Sequence, residues 1–274
     1  MTTKRKNIVL SIIGILFVAI YLFPLYWMFI TSVKSQKEIF QIPPTFFPEN
    51  IQFGSYLGQS GSDLIQMLIN SVIIAFTSML IVLIVSVPAA YAMARFKMKL
   101  TKHILLFILL TQMIPATVVL APLFILFNNL GILNTYLGPI LLNSTGGIAF
   151  SILLLRSYFL SAPKALEEAA LIDGCNQFTA FIRIIIPTVR PGIMVCGAIS
   201  FLFAWGDLVA SLTFIRDQSM WPLTAGIYNA IGRYGVQYDS IMAYSTIVTI
   251  PVVILFLVLQ KDLVKGLTSG SVKE

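Results

Sequence analysis

Apolar runs long enough to cross a bilayer recur along this chain, and no other feature of it narrows the possible folds as much. Spanning a hydrocarbon core takes about 20 mostly apolar residues per helix. Six stretches qualify: about residues 8–30, 70–93, 104–127, 138–160, 190–214 and 241–260. Inside hydrocarbon every backbone donor and acceptor must be satisfied by the protein, which leaves helices or a closed barrel. The runs are continuously apolar and lack the alternation of barrel strands. The expected fold is therefore an all-α integral membrane protein with six transmembrane helices. Composition agrees, since only 11% of residues are charged and 58% are hydrophobic, against roughly 25% charged in soluble domains.

Orientation follows from lysine and arginine, which collect in the short cytoplasmic loops. With the N-terminus inside, 14 of the 18 cations fall on the cytoplasmic side, leaving Lys34, Lys37, Arg216 and Arg233 outside. Both termini are then cytoplasmic. The net charge of +7 is accounted for by this bias. Nucleic-acid binding is excluded, because the cations sit at helix ends and form no continuous basic surface. Lys4-Arg5-Lys6 before an apolar run resembles the start of a signal peptide, but the run exceeds the 7–15 residues of a signal's apolar region and no small-x-small site follows it. It reads as a retained anchor. Cys175 and Cys196 fall in different environments and give no reason to pair.

The chain divides into residues 1–30, an N-terminal tip and first span; 31–69, an extracytoplasmic loop; 70–260, a five-helix core; and 261–274, a cytoplasmic tail. The external loop carries Pro43, Pro44, Pro48, Gly54, Gly58 and Gly61, which break any long helix, and is expected to pack over the outer mouth. Pro88, Pro115, Pro122 and Pro251 each remove a donor from a predicted span, giving kinks that either gate a pathway or merely help packing.

One polar interlude, about residues 161–190, stands out. Ser161 is placed to cap a helix from Ala162, with Pro163 in its first turn and Gly174 where a left-handed terminator is wanted. Asn176 offers a second cap. Phe178, Phe181, Ile182 and Ile185 then follow at i, i+3, i+4 and i+7, the spacing of one apolar stripe, until Pro187 and Pro191 end the element. Two short helices bent at Gly174 are expected along the cytoplasmic face, with Glu167 and Glu168 projecting acidic charge. An ordinary interfacial amphipathic segment has the same composition.

These residues resemble a family. Glu168-Ala169-Ala170, Asp173-Gly174, Phe178, Ile184, Ile186-Pro187 and Pro191 are similar to the EAA loop of binding-protein-dependent ABC importer permeases, in spacing and in position between the fourth and fifth spans. Asn70-Ser71, Trp205-Gly206-Asp207 and the tail Gly266 to Glu274 resemble the carbohydrate branch, the maltose-permease-like subunits. Cys175 replaces the commoner alanine and Gly206 the commoner asparagine.

The resemblance implies an importer with two permease subunits, this chain and a homologous but different partner. A dimer of ATPase subunits binds ATP and Mg, and an extracytoplasmic binding protein delivers a sugar or oligosaccharide. Glu167, Glu168, Ala169, Ala170, Asp173, Gly174, Phe178 and Pro187 would form the ATPase-coupling surface, and Gly266, Ser269 and Lys273 a tail contact with the ATPase. The chain has no G-x-x-x-x-G-K-[ST] phosphate loop, so ATP chemistry is expected in trans and the chain itself is expected to be no enzyme and to hold no cofactor.

Asp207 is the only carboxylate predicted deep in a span, where a charge must be paired, hydrated or protonated. With Trp205, Gly206 and Ser211 it is a candidate for the solute pathway, and the rival is a structural hydrogen bond between helices. His103 stands alone among lysines with no second ligand, so no metal site is expected. Tyr21, Tyr26 and Trp27 read as an aromatic belt, and Asn128, Asn129 and Asn143 as caps or loop groups. A non-sugar solute such as glycerol phosphate is the alternative cargo. An ion-coupled secondary transporter, the further alternative, would show repeated halves and several intramembrane ionisable groups, and a lone Asp207 without repeats argues against it. An intramembrane enzyme would need a paired acid, a nucleophile with its base, or metal ligands, and no such constellation is found in the sequence.

Overall fold

A computed structural model describes residues 3–57, 61–232 and 235–269. Helices dominate: α1 (Thr3–Ser32), α2 (Gln36–Ile39), α3 (Gly54–Leu57), α4 (Gly61–Arg95), α5 (Thr101–Gln112), α6 (Ala116–Asn129) and α7 (Leu137–Ser161) come first. They are followed by α8 (Lys164–Ile172), α9 (Gln177–Ala180), α10 (Ile186–Thr188), α11 (Arg190–Trp205), α12 (Val209–Phe214), α13 (Leu223–Asn229) and α14 (Tyr238–Ser269). The strand pair Ile231–Gly232 and Gly235–Val236 precedes α14, with Ile231 opposite Val236.

Four of these elements contain segments long and apolar enough to cross a membrane: Val9–Ser32, Leu64–Arg95, Leu137–Ser161 and Tyr238–Gln260. Two bent pairs bring the number to six if each is one span. The expected third span is broken, because α5 and α6 meet at 93°. Pro115 explains the break: its ring disfavours helical backbone at Ile114, it has no N–H to continue the ladder, and it sits at φ −59°, ψ 132° before α6. Pro88, Pro122 and Pro251, in contrast, lie within helices.

A second break, of 76°, separates Gln177–Thr188 from α11, at the position framed by Pro187 and Pro191. The run 190–214 is not one helix either. It stops at Trp205, Gly206 N–H closes back on the Leu202 carbonyl at 3.0 Å, and α12 starts afresh at Val209.

Two compact units are built from these elements. One, residues 1–68 and 223–251, has α1 with its membrane window facing outward throughout, and a stitched connecting segment. There Glu38 is buried and accepts from Thr45 Oγ1 at 2.8 Å and Glu49 N–H at 2.9 Å, while Ser55 donates to Asp239 Oδ2 at 2.6 Å. In the other, residues 69–222 and 252–274, the core gathers Val87, Ala90, Tyr91, Leu155, Phe159, Phe181, Ile185 and Cys196. Helices approach closely here through small residues. A Cβ on Gly147 would stand 2.7 Å from Val82 Cγ2, and one on Gly192 2.5 Å from the Tyr158 ring. Close approach of this kind suits packing within lipid, where dispersion rather than water exclusion holds helices together.

Candidate functional site

The polar interlude folds as a knob that begins later than its sequence suggests. Ser161 ends α7, its hydroxyl donating to the Tyr158 carbonyl at 2.9 Å, and α8 starts at Lys164 after the extended Pro163. A serine can bond backward along a helix as readily as cap the next one, and here the α7 register takes it.

The end of α8 matches expectation closely. Gly174 has φ +88°, a region that costs a side chain but not glycine. Gly174 N–H bonds the Leu171 carbonyl at 3.2 Å and Cys175 N–H the Ala170 carbonyl at 3.0 Å, the paired 5→2 and 6→1 bonds of a Schellman terminator. Asn176 then caps α9, its Oδ1 accepting from Thr179 N–H at 2.8 Å.

The expected single apolar stripe does not form. Phe181–Ile185 winds as a π-helix, whose wider turn changes which residues align. Phe181 and Ile185 are buried while Phe178 and Ile182 face out. The result is a knob with an uncovered surface: Glu168, Ala169, Asp173, Gly174 and Pro187 are exposed, Ile172 is 85% exposed and Phe178 72%. Ala170 packs inward.

Glu167 also turns inward, contrary to the expectation that it projects charge beside Glu168. Its Oε2 lies 3.0 Å from Arg95 Nε, with the two side chains only 12% and 5% exposed, and its Oε1 accepts from the Tyr91 hydroxyl. An acid on a short exposed helix is buried only when paired. Arg95 and Tyr91 belong to the site, and neither is among the coupling residues expected from the sequence.

Around the fifth predicted span the polar residues pair with one another. Asp207 Oδ1 accepts from Ala210 N–H at 3.2 Å, and Oδ2 accepts from Ser211 N–H at 3.1 Å and Ser211 Oγ at 3.0 Å. The carboxylate caps α12. Trp205 is buried and stacks on Phe201 at 5.4 Å, and Gly206 is exposed at the break. Asn70, fully buried, donates to the Ser219 and Trp221 carbonyls at 2.9 and 3.0 Å and accepts from Tyr136. Gly266 and Ser269 continue α14, and Lys273 lies outside the described residues.

Among the described residues, helices long and apolar enough to cross a membrane are joined to a knob of short helices between the fourth and fifth hydrophobic segments, which defines the chain as a multi-span membrane protein. The sequence of residues 86–269 matches the family model for binding-protein-dependent transport system inner membrane components. The chain belongs to that family, and is an ABC importer permease, a multi-pass protein of the inner membrane.

It is 34% identical over 254 residues to the sulfoquinovosyl glycerol transport system permease protein SmoH of Agrobacterium fabrum, covering 92% of this chain and 89% of that one. It is 30% identical over 260 residues to the diacetylchitobiose uptake system permease protein DasC of Streptomyces coelicolor, covering 94% of each. In fold it is similar to a chain of a bacterial ABC transporter involved in the import of the acidic polysaccharide alginate, with a TM-score of 0.78, 23% identity, and coverage of 94% of this chain and 96% of that one.

Proposed function

We propose that this chain is one of two different permease subunits of an ATP-driven importer for a sugar or oligosaccharide. An extracytoplasmic binding protein delivers the solute, and an ATPase dimer carrying ATP and Mg works the permeases from the cytoplasm. The observation that carries the reading is the α8 knob, with Glu168, Ile172 and Phe178 exposed while Glu167 and Ala170 pack inward. Apolar side chains this exposed on an otherwise polar loop are the composition of a docking surface. Closure of the ATP-bound dimer displaces α8, and the attached helices switch the pathway between its two faces. The cation bias supports cytoplasmic termini and a cytoplasmic α8. The sugar class is supported by the relatives' substrates. The residues 266–274 are assigned to the same partner, as a contact that senses dimer closure.

The test is co-purification with the ATPase. Glu168→Lys and Phe178→Asp should leave the chain in the membrane and remove the ATPase from the purified complex. Normal ATPase recovery and normal uptake in both variants would overturn the assignment.

A further inference from the structure

Two adjacent acids on α8 have opposite surroundings, and this difference is informative. Glu168 is exposed, whereas Glu167 reaches back to α4. One guanidinium also bridges a bend: Arg95, the last residue of α4, places Nε 3.0 Å from Glu167 Oε2 and donates from Nη2 to the Ala162 carbonyl at 2.9 Å. Ala162 caps the end of α7 and Glu167 lies on α8, so Arg95 grips both sides of the Ala162–Pro163 connection.

Tyr91, one turn earlier on α4, completes the arrangement. Its hydroxyl donates to Glu167 Oε1, and its ring packs against Phe181 of the π-helix at 4.5 Å and Phe159 of α7 at 5.6 Å. The guanidinium is not saturated: Nη1 is buried and makes no hydrogen bond among the described residues, and Nε faces the carboxylate at ion-pair distance without hydrogen-bond alignment. A charge pair held out of water in this way adds little net stability but fixes a geometry, since breaking it strands a buried charge.

We propose that Arg95, Glu167 and Tyr91 form a latch that makes α8 and the C-terminal end of α4 one rigid piece. A push on α8 is then delivered to α4 instead of being absorbed at the Ala162–Pro163 bend. Glu168 serves the partner and Glu167 serves transmission. Arg95 and Glu167 are positioning residues, and only the origin of the push rests on the reading of α8 as the ATPase-docking helix.

The test uses the full complex with its ATPase. Cys175 and Cys196 are replaced by serine, nitroxides are placed at Leu166→Cys on α8 and Lys97→Cys just beyond α4, and their separation is measured by pulsed electron resonance. With the latch intact we expect one narrow distance, the same in the nucleotide-free and the ATP–vanadate-trapped complex. Arg95→Met should give a broad distribution that differs between the two states, and Glu167→Gln, which keeps a partner for Tyr91 but loses the charge, an intermediate width. Arg95→Glu combined with Glu167→Arg, which restores the ion pair but not the bond to the Ala162 carbonyl, should be narrower than Arg95→Met and broader than the intact latch.

A wild-type distance that shifts between nucleotide states would overturn the latch, as would an unchanged narrow distance in Arg95→Met. Loss of the ATPase from the latch-intact labelled complex would count against the docking reading. The latch would then be judged on the permease alone, where Arg95→Met must still broaden the distribution.

Discussion

Asp207 and Ser211 are joined twice, with the Ser211 N–H and its hydroxyl both donating to Oδ2, at 3.1 and 3.0 Å. The carboxylate therefore ends the break after Trp205 and starts α12. Losing a helix cap costs about 1 kcal/mol. Asp207→Asn, which keeps an acceptor, should assemble normally. Asp207→Leu should lower the yield of assembled complex while uptake per complex stays near wild type. A large fall in uptake per assembled complex in Asp207→Leu would mean that the carboxylate serves the solute as well as the helix.

Gly174 is open to a test that separates space from conformation. A Cβ there would meet nothing within 4 Å, yet φ is +88°. The penalty for Gly174→Val is then purely a backbone one, of order 1–3 kcal/mol. Asparagine tolerates this region far better. Gly174→Asn should retain ATPase binding and Gly174→Val should weaken it, measured by co-purification; equal binding in both would show that the Schellman terminator does not set the shape of the knob.

Arg95→Met removes one half of a buried pair and should destabilise the chain by about 3–5 kcal/mol. Thermal unfolding of the purified complex in detergent should report this as a clear fall in Tm. A change within error would mean that water already screens Glu167.

Helix approach at the second bend depends on the absence of a side chain. A Cβ on Gly192 would lie 2.5 Å from Tyr158 Cγ, so Gly192→Ala should force α11 away from α7 at about 1–3 kcal/mol. Adding Tyr158→Ala should recover much of the lost stability. If the double variant unfolds no later than Gly192→Ala alone, the clash is relieved by some other route.

Much of this molecule is legible in its sequence. Unbroken apolar runs imply helices because lipid leaves the backbone no other partner, and Gly174 and Asn176 announce their conformations through their own side chains. Other features were hidden for physical reasons. Hydropathy averages over a window, so the run 190–214 looks uniform even though Gly206 and Asp207 divide it, and the 93° turn at Pro115 looks like a mild kink. The burial of Glu167 depends on Arg95, which lies far back in the chain, and nothing local distinguishes it from Glu168. The split of Phe178 and Ile182 from Phe181 and Ile185 arises from a π-turn that a 3.6-residue pattern cannot represent.

The claim that α8 is the cytoplasmic docking element is tested most directly by a single cysteine at position 168 in a chain whose native cysteines are replaced by serine. An impermeant maleimide should fail to label it in sealed cells and should label it in inside-out vesicles stripped of the ATPase. Adding the ATPase back should protect it. Labelling from outside sealed cells, or equal labelling with and without the ATPase, would contradict the account.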